Sequence, residues 1–198
     1  MNGKFIVLYG SNNLGKSTQA KLLVTNLIKH GFPAEYLKYP IYDLAPTGQQ
    51  INKILRGGGT QKISELELQN LYAQNRRDFQ PTVAKKLNQG IHLVAEDYIG
   101  TGLAWGVTKG APLEDLEKQN KGLLKENLAI LLDGERFLDG KEKNHLHESS
   151  DELMTKNRQV HLDLAKKYGW QMIDANQPIE KVQQDIWRLV SNELGIRN

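Results

Sequence analysis

Residues 10–18, GSNNLGKST, set two glycines, a lysine and two hydroxyls at the spacing G-x-x-x-x-G-K-[ST]. Chemistry with a nucleoside triphosphate needs this arrangement. Consecutive backbone N–H groups wrap the phosphates, Lys16 reaches the β- and γ-phosphates, and the Ser17 hydroxyl is a ligand for Mg²⁺. Gly10 and Gly15 allow a backbone geometry and a close approach that a Cβ would obstruct. The run KFIVLY (4–9) before the motif reads as a strand and KSTQAKLLVTNLI (16–28) after it as a helix. The helix N-terminus would then aim its dipole at the bound phosphates. Gly10, Ser11, Asn12, Asn13, Leu14, Gly15, Lys16, Ser17 and Thr18 are therefore candidate ATP contacts, with Lys16 also catalytic.

A second constellation stands at residues 92–98, HLVAEDY, where an apolar run ends in two acids, Glu96 and Asp97. In a parallel sheet ligands lie at the carboxyl ends of the strands. If this strand neighbours KFIVLY, the acids share an edge with the phosphate loop. A carboxylate there can hold the Mg²⁺ shell, partly through water, or orient an attacking hydroxyl. The alternative for Glu96 is a salt bridge with a basic neighbour. Glu96 is taken as a catalytic candidate and, with Ser17, as a metal candidate.

The elements that must position these residues follow from periodicity. Five short apolar runs recur, KFIVLY (4–9), AEYLKY (34–39), IHLVA (91–95), LAILLD (128–133) and WQMID (170–174), with helical spacing between them. Ala20, Leu23, Val24, Leu27 and Ile28 form one face of a helix that Gly31 stops. Ile179, Val182, Ile186, Leu189 and Val190 form another, with Pro178 at its start. Residues 63–89 read as helical, broken or kinked at Pro81. Strands alternating with helices predict an α/β fold, the three-layer P-loop NTPase arrangement: a five-stranded parallel sheet with helices on both faces. At 198 residues the expectation is one domain over 1–198. Gly57-Gly58-Gly59 reads as a flexible joint. The polar stretch 134–148 reads as a mobile lid segment.

Composition narrows the function classes. No apolar run approaches the ~18 residues of a membrane span, and the N-terminal apolar stretch is too short for a secretory signal. Without cysteine there is no disulfide and no cysteine–zinc site, which fits a cytoplasmic protein. The 26 basic and 23 acidic residues are interspersed, so no nucleic-acid tail is expected. A GTPase would carry N-K-x-D, but Asn52-Lys53 and Asn120-Lys121 are not followed by the required Asp.

Read in order, several segments resemble the thymidylate kinase family of nucleoside monophosphate kinases over nearly the whole length. They are GSNNLGKSTQAKLL, Tyr39-Pro40 followed by PTGQQINKIL (46–55), LYAQNRRDF (71–79), EDYIGTGLAWG (96–106) and DANQPIEKVQQDIW (174–187). The resemblance implies ATP- and Mg²⁺-dependent phosphorylation of a (deoxy)nucleoside monophosphate, most naturally dTMP to dTDP. It implies that Tyr39 opens the acceptor pocket, that Tyr72 stacks on the acceptor base, and that Arg76 binds the acceptor or braces its pocket. Tyr98 would pack beside the sugar and select deoxyribose. Ala175, Asn176 and Gln177 would frame the adenine, largely through backbone. The family's transferring phosphoryl group is steadied by an arginine of the lid or the phosphate loop; position 13 is Asn, leaving Arg136 as the catalytic candidate beside Lys141 and Lys143. His145 and His147 read as surface residues. A homodimer is also implied, and Ile99, Leu103, Ala104 and Trp105 fit either that contact or the core.

The sequence departs from the family at the acceptor phosphate. Glu96-Asp97-Tyr98 stands where the family carries Asp-Arg-Tyr, and IYDL (41–44) lacks the second phosphate arginine. Compensation could come from a second Mg²⁺, from Asp97 turning away, or from Arg76, Arg77 or Lys38. Two alternatives stay open on this departure: a deoxynucleoside kinase acting on an unphosphorylated nucleoside, and a nucleotide-binding module without transfer chemistry.

Overall fold

The protein, described here by a computed structural model over residues 2–56, 63–135 and 151–196, places its first apolar run at the centre of a sheet. Strand β1 (Phe5–Tyr9) is flanked by β3 (His92–Glu96) and β4 (Leu128–Asp133), with β2 (Ala34–Lys38) and β5 (Gln171–Asp174) at the edges. All four pairings are parallel, in the order β2-β3-β1-β4-β5. The chain leaves β1 toward one edge and returns to the other side for β4. The reversal opens a crevice at the strands' carboxyl ends, where open α/β sheets bind ligands.

Alternate residues of the inner strands feed two cores. Ile6, Leu8, Val94, Ile130 and Leu132 meet Ala20, Leu23 and Leu27 of α1 (Lys16–Lys29) and Val182, Ile186 and Val190 of α7 (Ile179–Leu194). On the other face, Phe5, Val7, Tyr9, Leu93, Ala95 and Leu131 pack against four helices: α3 (Glu65–Asn88), α4 (Ile99–Thr108), α5 (Leu113–Gln119) and α6 (Asp151–Tyr168). Helix α2 (Thr47–Arg56) rests on α3. Each fully buried Ile, Leu or Phe contributes roughly 1.5–3 kcal/mol, so the three-layer α/β arrangement expected from the pattern is also where the burial lies. Among the described residues, no helix is long and apolar enough to cross a membrane.

Some expectations are corrected. Helix α3 is not broken at Pro81 but runs through it. Pro81 is on the exposed face, where water can satisfy the carbonyl that lacks its N–H partner. The start of α3 is fixed by a reciprocal capping box between Ser64 and Glu67. Ile28 and Ile179, expected on core faces, are 56% and 53% exposed. Ile28 is rotated past the stripe formed by Ala20, Leu23 and Leu27, and Ile179 opens α7 ahead of its first buried turn. Leu103 and Ala104 are interior residues of this chain, Trp105 is 7% exposed, and Ile99 packs partly against the same core. Helices α2, α5 and α6 go beyond the elements read from periodicity. Of the lid segment 134–148, only Gly134 and Glu135 are among the described residues. Arg136, Lys141, Lys143, His145, His147 and the Gly57-Gly58-Gly59 joint lie outside them.

Candidate functional site

The phosphate loop joins β1 to α1 with the backbone its sequence requires. Gly10 has φ 141°, and a Cβ there would stand 2.5 Å from the Leu132 carbonyl oxygen on β4. Gly15 has φ 77° and open space around it, so conformation rather than packing calls for glycine. Asn13 also takes a left-handed conformation, φ 63°, which Asn tolerates better than most residues. Lys16 Nζ donates to the carbonyls of Gly10 and Ser11, both at 2.9 Å. It thus curls back over the loop into the crevice. The loop is braced from the far layer: Ser11 Oγ donates to Asn157 Oδ1 of α6 at 3.2 Å, and Asn157 Nδ2 donates to Thr108 Oγ1 of α4 at 3.1 Å.

Parallel register brings Glu96 opposite both Leu8 and Lys38, so the expected adjacency of the two acids and the loop holds. The Glu96 carboxylate is 4% exposed. It accepts from Ser17 Oγ (2.7 Å), Tyr36 Oη (2.6 Å) and Lys38 Nζ (3.0 Å). Burial raises its pKa, but the Tyr36 and Ser17 hydrogen bonds and the Lys38 and Lys16 charges outweigh burial and hold it below the usual glutamate value. Glu96 is therefore a carboxylate at neutral pH, engaged at once in the salt bridge of the simpler reading and in the loop contact of the functional one.

Asp97 sits one residue beyond the strand with φ 62°. Its Oδ1 accepts from Thr101 Oγ1 at 2.9 Å and lies 3.7 Å from Lys16 Nζ. Burial, with the neighbouring Glu96 charge, raises its pKa against the pull of Lys16. It faces the crevice and is not turned away.

These groups line one end of a cavity of about 400 Å³. The other end is built by Tyr39, Tyr72, Arg76, Tyr98, Gln69 and Trp105. Tyr98 is buried edge-on against Phe5 and tilted on Tyr39; burial pushes its hydroxyl up to about 12. Burial likewise raises Tyr39 and Tyr72. The Arg76 guanidinium, 4% exposed, donates to Asn120 Oδ1 at 3.0 Å and lies over the Tyr98 ring; burial lowers its pKa. All five expected acceptor residues, Tyr39, Tyr72, Arg76, Asp97 and Tyr98, thus surround one space. Of the expected compensating cations, Lys38 and Arg76 line it. Arg77 does not, because its guanidinium donates to the carbonyls of Gln119 and Lys121. Arg56, which the sequence did not single out, joins the lining beside Tyr42.

The three expected adenine-side residues stand at the end of β5. Ala175 N–H donates to Asp133 O (2.7 Å), and Gln177 Nε2 donates to Asp174 O (3.0 Å). Asn176 makes a reciprocal pair with the Glu135 backbone, accepting from its N–H at 2.6 Å and donating to its carbonyl at 2.8 Å. Beside them Arg158 of α6 forms a two-pronged pair with Asp133, at 2.7 and 2.8 Å. Neither Arg158 nor Asn157 was legible in the sequence, since nothing in α6 marks the side that meets the phosphate loop.

Among the described residues there is no group of three or more His, Cys, Asp or Glu side chains that could hold a metal ion. The oxygen pair Ser17 Oγ and Glu96, 2.7 Å apart, suits Mg²⁺, which keeps several waters and takes its remaining ligands from substrate phosphates.

Comparison with known proteins agrees with this geometry. The Thymidylate kinase family profile matches residues 9–186. Human thymidylate kinase is 31% identical over 96% of this chain and 91% of its own. The zebrafish (Danio rerio) enzyme is also 31% identical, over 98% and 92%. The solved structure of thymidylate kinase from Candida albicans superposes with a TM-score of 0.80 at 23% identity, covering 96% of this chain and 92% of that one, which supports the fold. The chain belongs to the thymidylate kinase family, the P-loop nucleoside monophosphate kinases that phosphorylate dTMP to dTDP.

Proposed function

We propose that this chain performs the family reaction through the cavity between Lys16 and Tyr72, taking ATP at the phosphate loop and dTMP at the aromatic end. The observation that carries the reading is the placement of Lys16, Glu96 and Asp97 at one end of a single cavity whose other end is Tyr72, Arg76 and Tyr98. The base would stack on Tyr72, with Tyr98 beside the sugar, so that an acceptor phosphate oxygen points at the ATP γ-phosphorus. That oxygen forms the new P–O bond as the bond to the β–γ bridging oxygen breaks, and ADP leaves with the electron pair. The nucleophile is already anionic, so no general base is required. Catalysis is then positioning plus charge stabilisation. Lys16 leaves the loop carbonyls for the β- and γ-oxygens, and the N-terminus of α1 faces the same charge. Ser17 and, through water, Glu96 would hold Mg²⁺, whose chemistry here is neutralisation of the phosphate oxygens. Ala175, Asn176 and Gln177 would border the adenine. Arg136 is the proposed lid arginine, within a lid at 134–148 of a single domain.

We read Glu96-Asp97-Tyr98 as an altered form of the family's Asp-Arg-Tyr. The acceptor phosphate would then depend on Lys38 and Arg56, the lining cations other than Lys16 and the deeper Arg76. A homodimer, which the family implies, would need surfaces other than Leu103 and Ala104, because these are interior. The test is ADP release from ATP and Mg²⁺ with dTMP, dUMP, UMP, dCMP, dGMP, dAMP and the matching nucleosides. Turnover of dTMP supports the reading. Turnover of thymidine without dTMP replaces it with a nucleoside kinase, the outcome that an acid at position 97 in place of the family's arginine would explain. ATP binding without transfer to any acceptor leaves a binding module.

A further inference from the structure

Deep in the acceptor cavity two hydrogen-bonding side chains converge on one point. Gln69 and Arg76 stand on the same face of α3, about two turns apart, and both line the cavity with Gly102 of α4. A Cβ on Gly102 would lie 2.7 Å from Arg76 Nη2 and 2.9 Å from Gln69 Oε1, so glycine leaves the space between them open. Gln69 is 3% exposed and its Oε1 accepts no hydrogen bond; Arg76 is 4% exposed and its Nε donates none. Buried polar atoms without partners are uncommon, and in a cavity they mark where a ligand completes the pairing.

The orientation of the Gln69 amide is fixed by chemistry. Its Nε2 donates to Glu65 Oε1 at 2.7 Å, and an ionised carboxylate only accepts, so the NH₂ end must face Glu65. Glu65 is in turn paired with Lys109 at 3.3 Å. The amide oxygen is therefore the atom left for the cavity, and a flip would set that oxygen against the Glu65 carboxylate.

We propose that Gln69 is the base-reading residue of the acceptor site: its Oε1 accepts the N3–H of a thymine or uracil while the Arg76 guanidinium donates to O4. This rests on the dTMP reading and names the group that selects the base. Cytosine carries the inverse edge, an amino donor toward Arg76 and a bare N3 lone pair toward Gln69 Oε1. Both contacts would be mismatched, and Glu65 prevents the amide from turning to repair them. Sites built to hydrogen-bond a substrate reject the analogue that leaves their buried groups unpaired. Guanine offers the same lactam edge on a larger ring system, so dGMP is the control for the commitment to a pyrimidine.

The experiment measures equilibrium binding of dTMP, N3-methyl-dTMP, dCMP and dGMP to the full chain, with ADP release followed in parallel. The variants are Gln69→Met, which keeps length and removes the acceptor, and Glu65→Gln, which lets the amide turn. Wild type is expected to bind dTMP far more tightly than the other three. Gln69→Met should lose roughly tenfold to 100-fold for dTMP and stay within a few-fold for dCMP, and Glu65→Gln should tighten dCMP. Equal binding of dTMP and N3-methyl-dTMP by wild type overturns the proposal. So does an equal loss for dTMP and dCMP in Gln69→Met, or dGMP binding as tight as dTMP. If Gln69→Met fails to fold, the wild-type comparison with N3-methyl-dTMP decides alone. Selective dTMP binding without ADP release would refute the catalytic reading and leave the base reading standing.

Discussion

The Ser17 hydroxyl donates to the Glu96 carboxylate across 2.7 Å, tying the first turn of α1 to the end of β3. Parallel pairing of β1 with β3 makes this contact possible, because the register sets Leu8 beside Glu96. Glu96 also accepts from Tyr36 and Lys38, so the pair is a joint between the phosphate loop and the acceptor wall.

Glu96→Gln tests that joint. The amide keeps an acceptor for Ser17 and Tyr36 but removes the charge that pairs with Lys38 and that would organise Mg²⁺ waters. Outer-shell changes of this kind cost about 10- to 100-fold in metal affinity or activity. We expect turnover to fall within that range and half-saturation by Mg²⁺ to shift upward, with nucleotide binding in the absence of metal little changed. A Mg²⁺ titration of initial rate reads both effects, and an unaltered titration would remove Glu96 from the metal shell.

Lys16→Ala removes the group expected to meet the charge of the transferring phosphoryl. Loss of one preorganised donor typically costs about 100- to 1,000-fold in kcat. The chain should still fold, because Lys16 Nζ bonds two carbonyls of the phosphate loop and takes no part in either apolar core. Circular dichroism melting beside steady-state kinetics checks both halves, and an active Lys16→Ala protein would contradict the mechanism.

Asp97→Asn isolates the departure at the acceptor phosphate. Asn tolerates the left-handed backbone of this position and can still accept from Thr101, so the substitution removes charge and little else. Two unit charges about 4 Å apart repel by roughly 4 kcal/mol at an effective dielectric of 20, and Lys16, 3.7 Å from Asp97, offsets part of this. If Asp97 opposes a phosphate acceptor, KM for dTMP should drop tenfold or more on that arithmetic, while binding of thymidine stays unchanged. Parallel changes for dTMP and thymidine would show that Asp97 acts through the fold instead.

Much of this site was legible in the residues, for identifiable reasons. The phosphate loop announces itself because its chemistry needs particular glycines at particular spacing. LAILLD coincided with β4 because a strand buried on both faces has an uninterrupted apolar run. Glu96 was found because it ends such a run. Gln69 was not, because a glutamine on a long polar helix looks like solvated surface until α4 closes over it. The environment of Asp97 was equally hidden: its partners Lys16 and Thr101 come from two different helices. Of the break or kink expected at Pro81, the break does not occur, because the carbonyl that loses its N–H partner there lies on an exposed face that water can reach.

The buried His161 gives the last prediction, and it concerns stability. The imidazole is 1% exposed on α6, its Nδ1 lies 2.9 Å from the Asn157 carbonyl, and its Nε2 has no partner. Burial pulls its pKa down to about 4, opposed by the Asn157 carbonyl and the Asp133 charge and assisted by Lys16. The folded pKa is therefore below the unfolded value of about 6.5. Between those values the unfolded chain binds a proton that the folded chain does not, so stability rises with pH. The contribution is fully present above about pH 6.5 and is lost as pH falls toward 4. From pH 7.5 to pH 5 this one group should remove about 2 kcal/mol. Urea unfolding at the two pH values reads the loss. His161→Leu should start from a different baseline but shed that part of the pH dependence, and a variant whose stability falls as steeply as wild type would place the titration elsewhere.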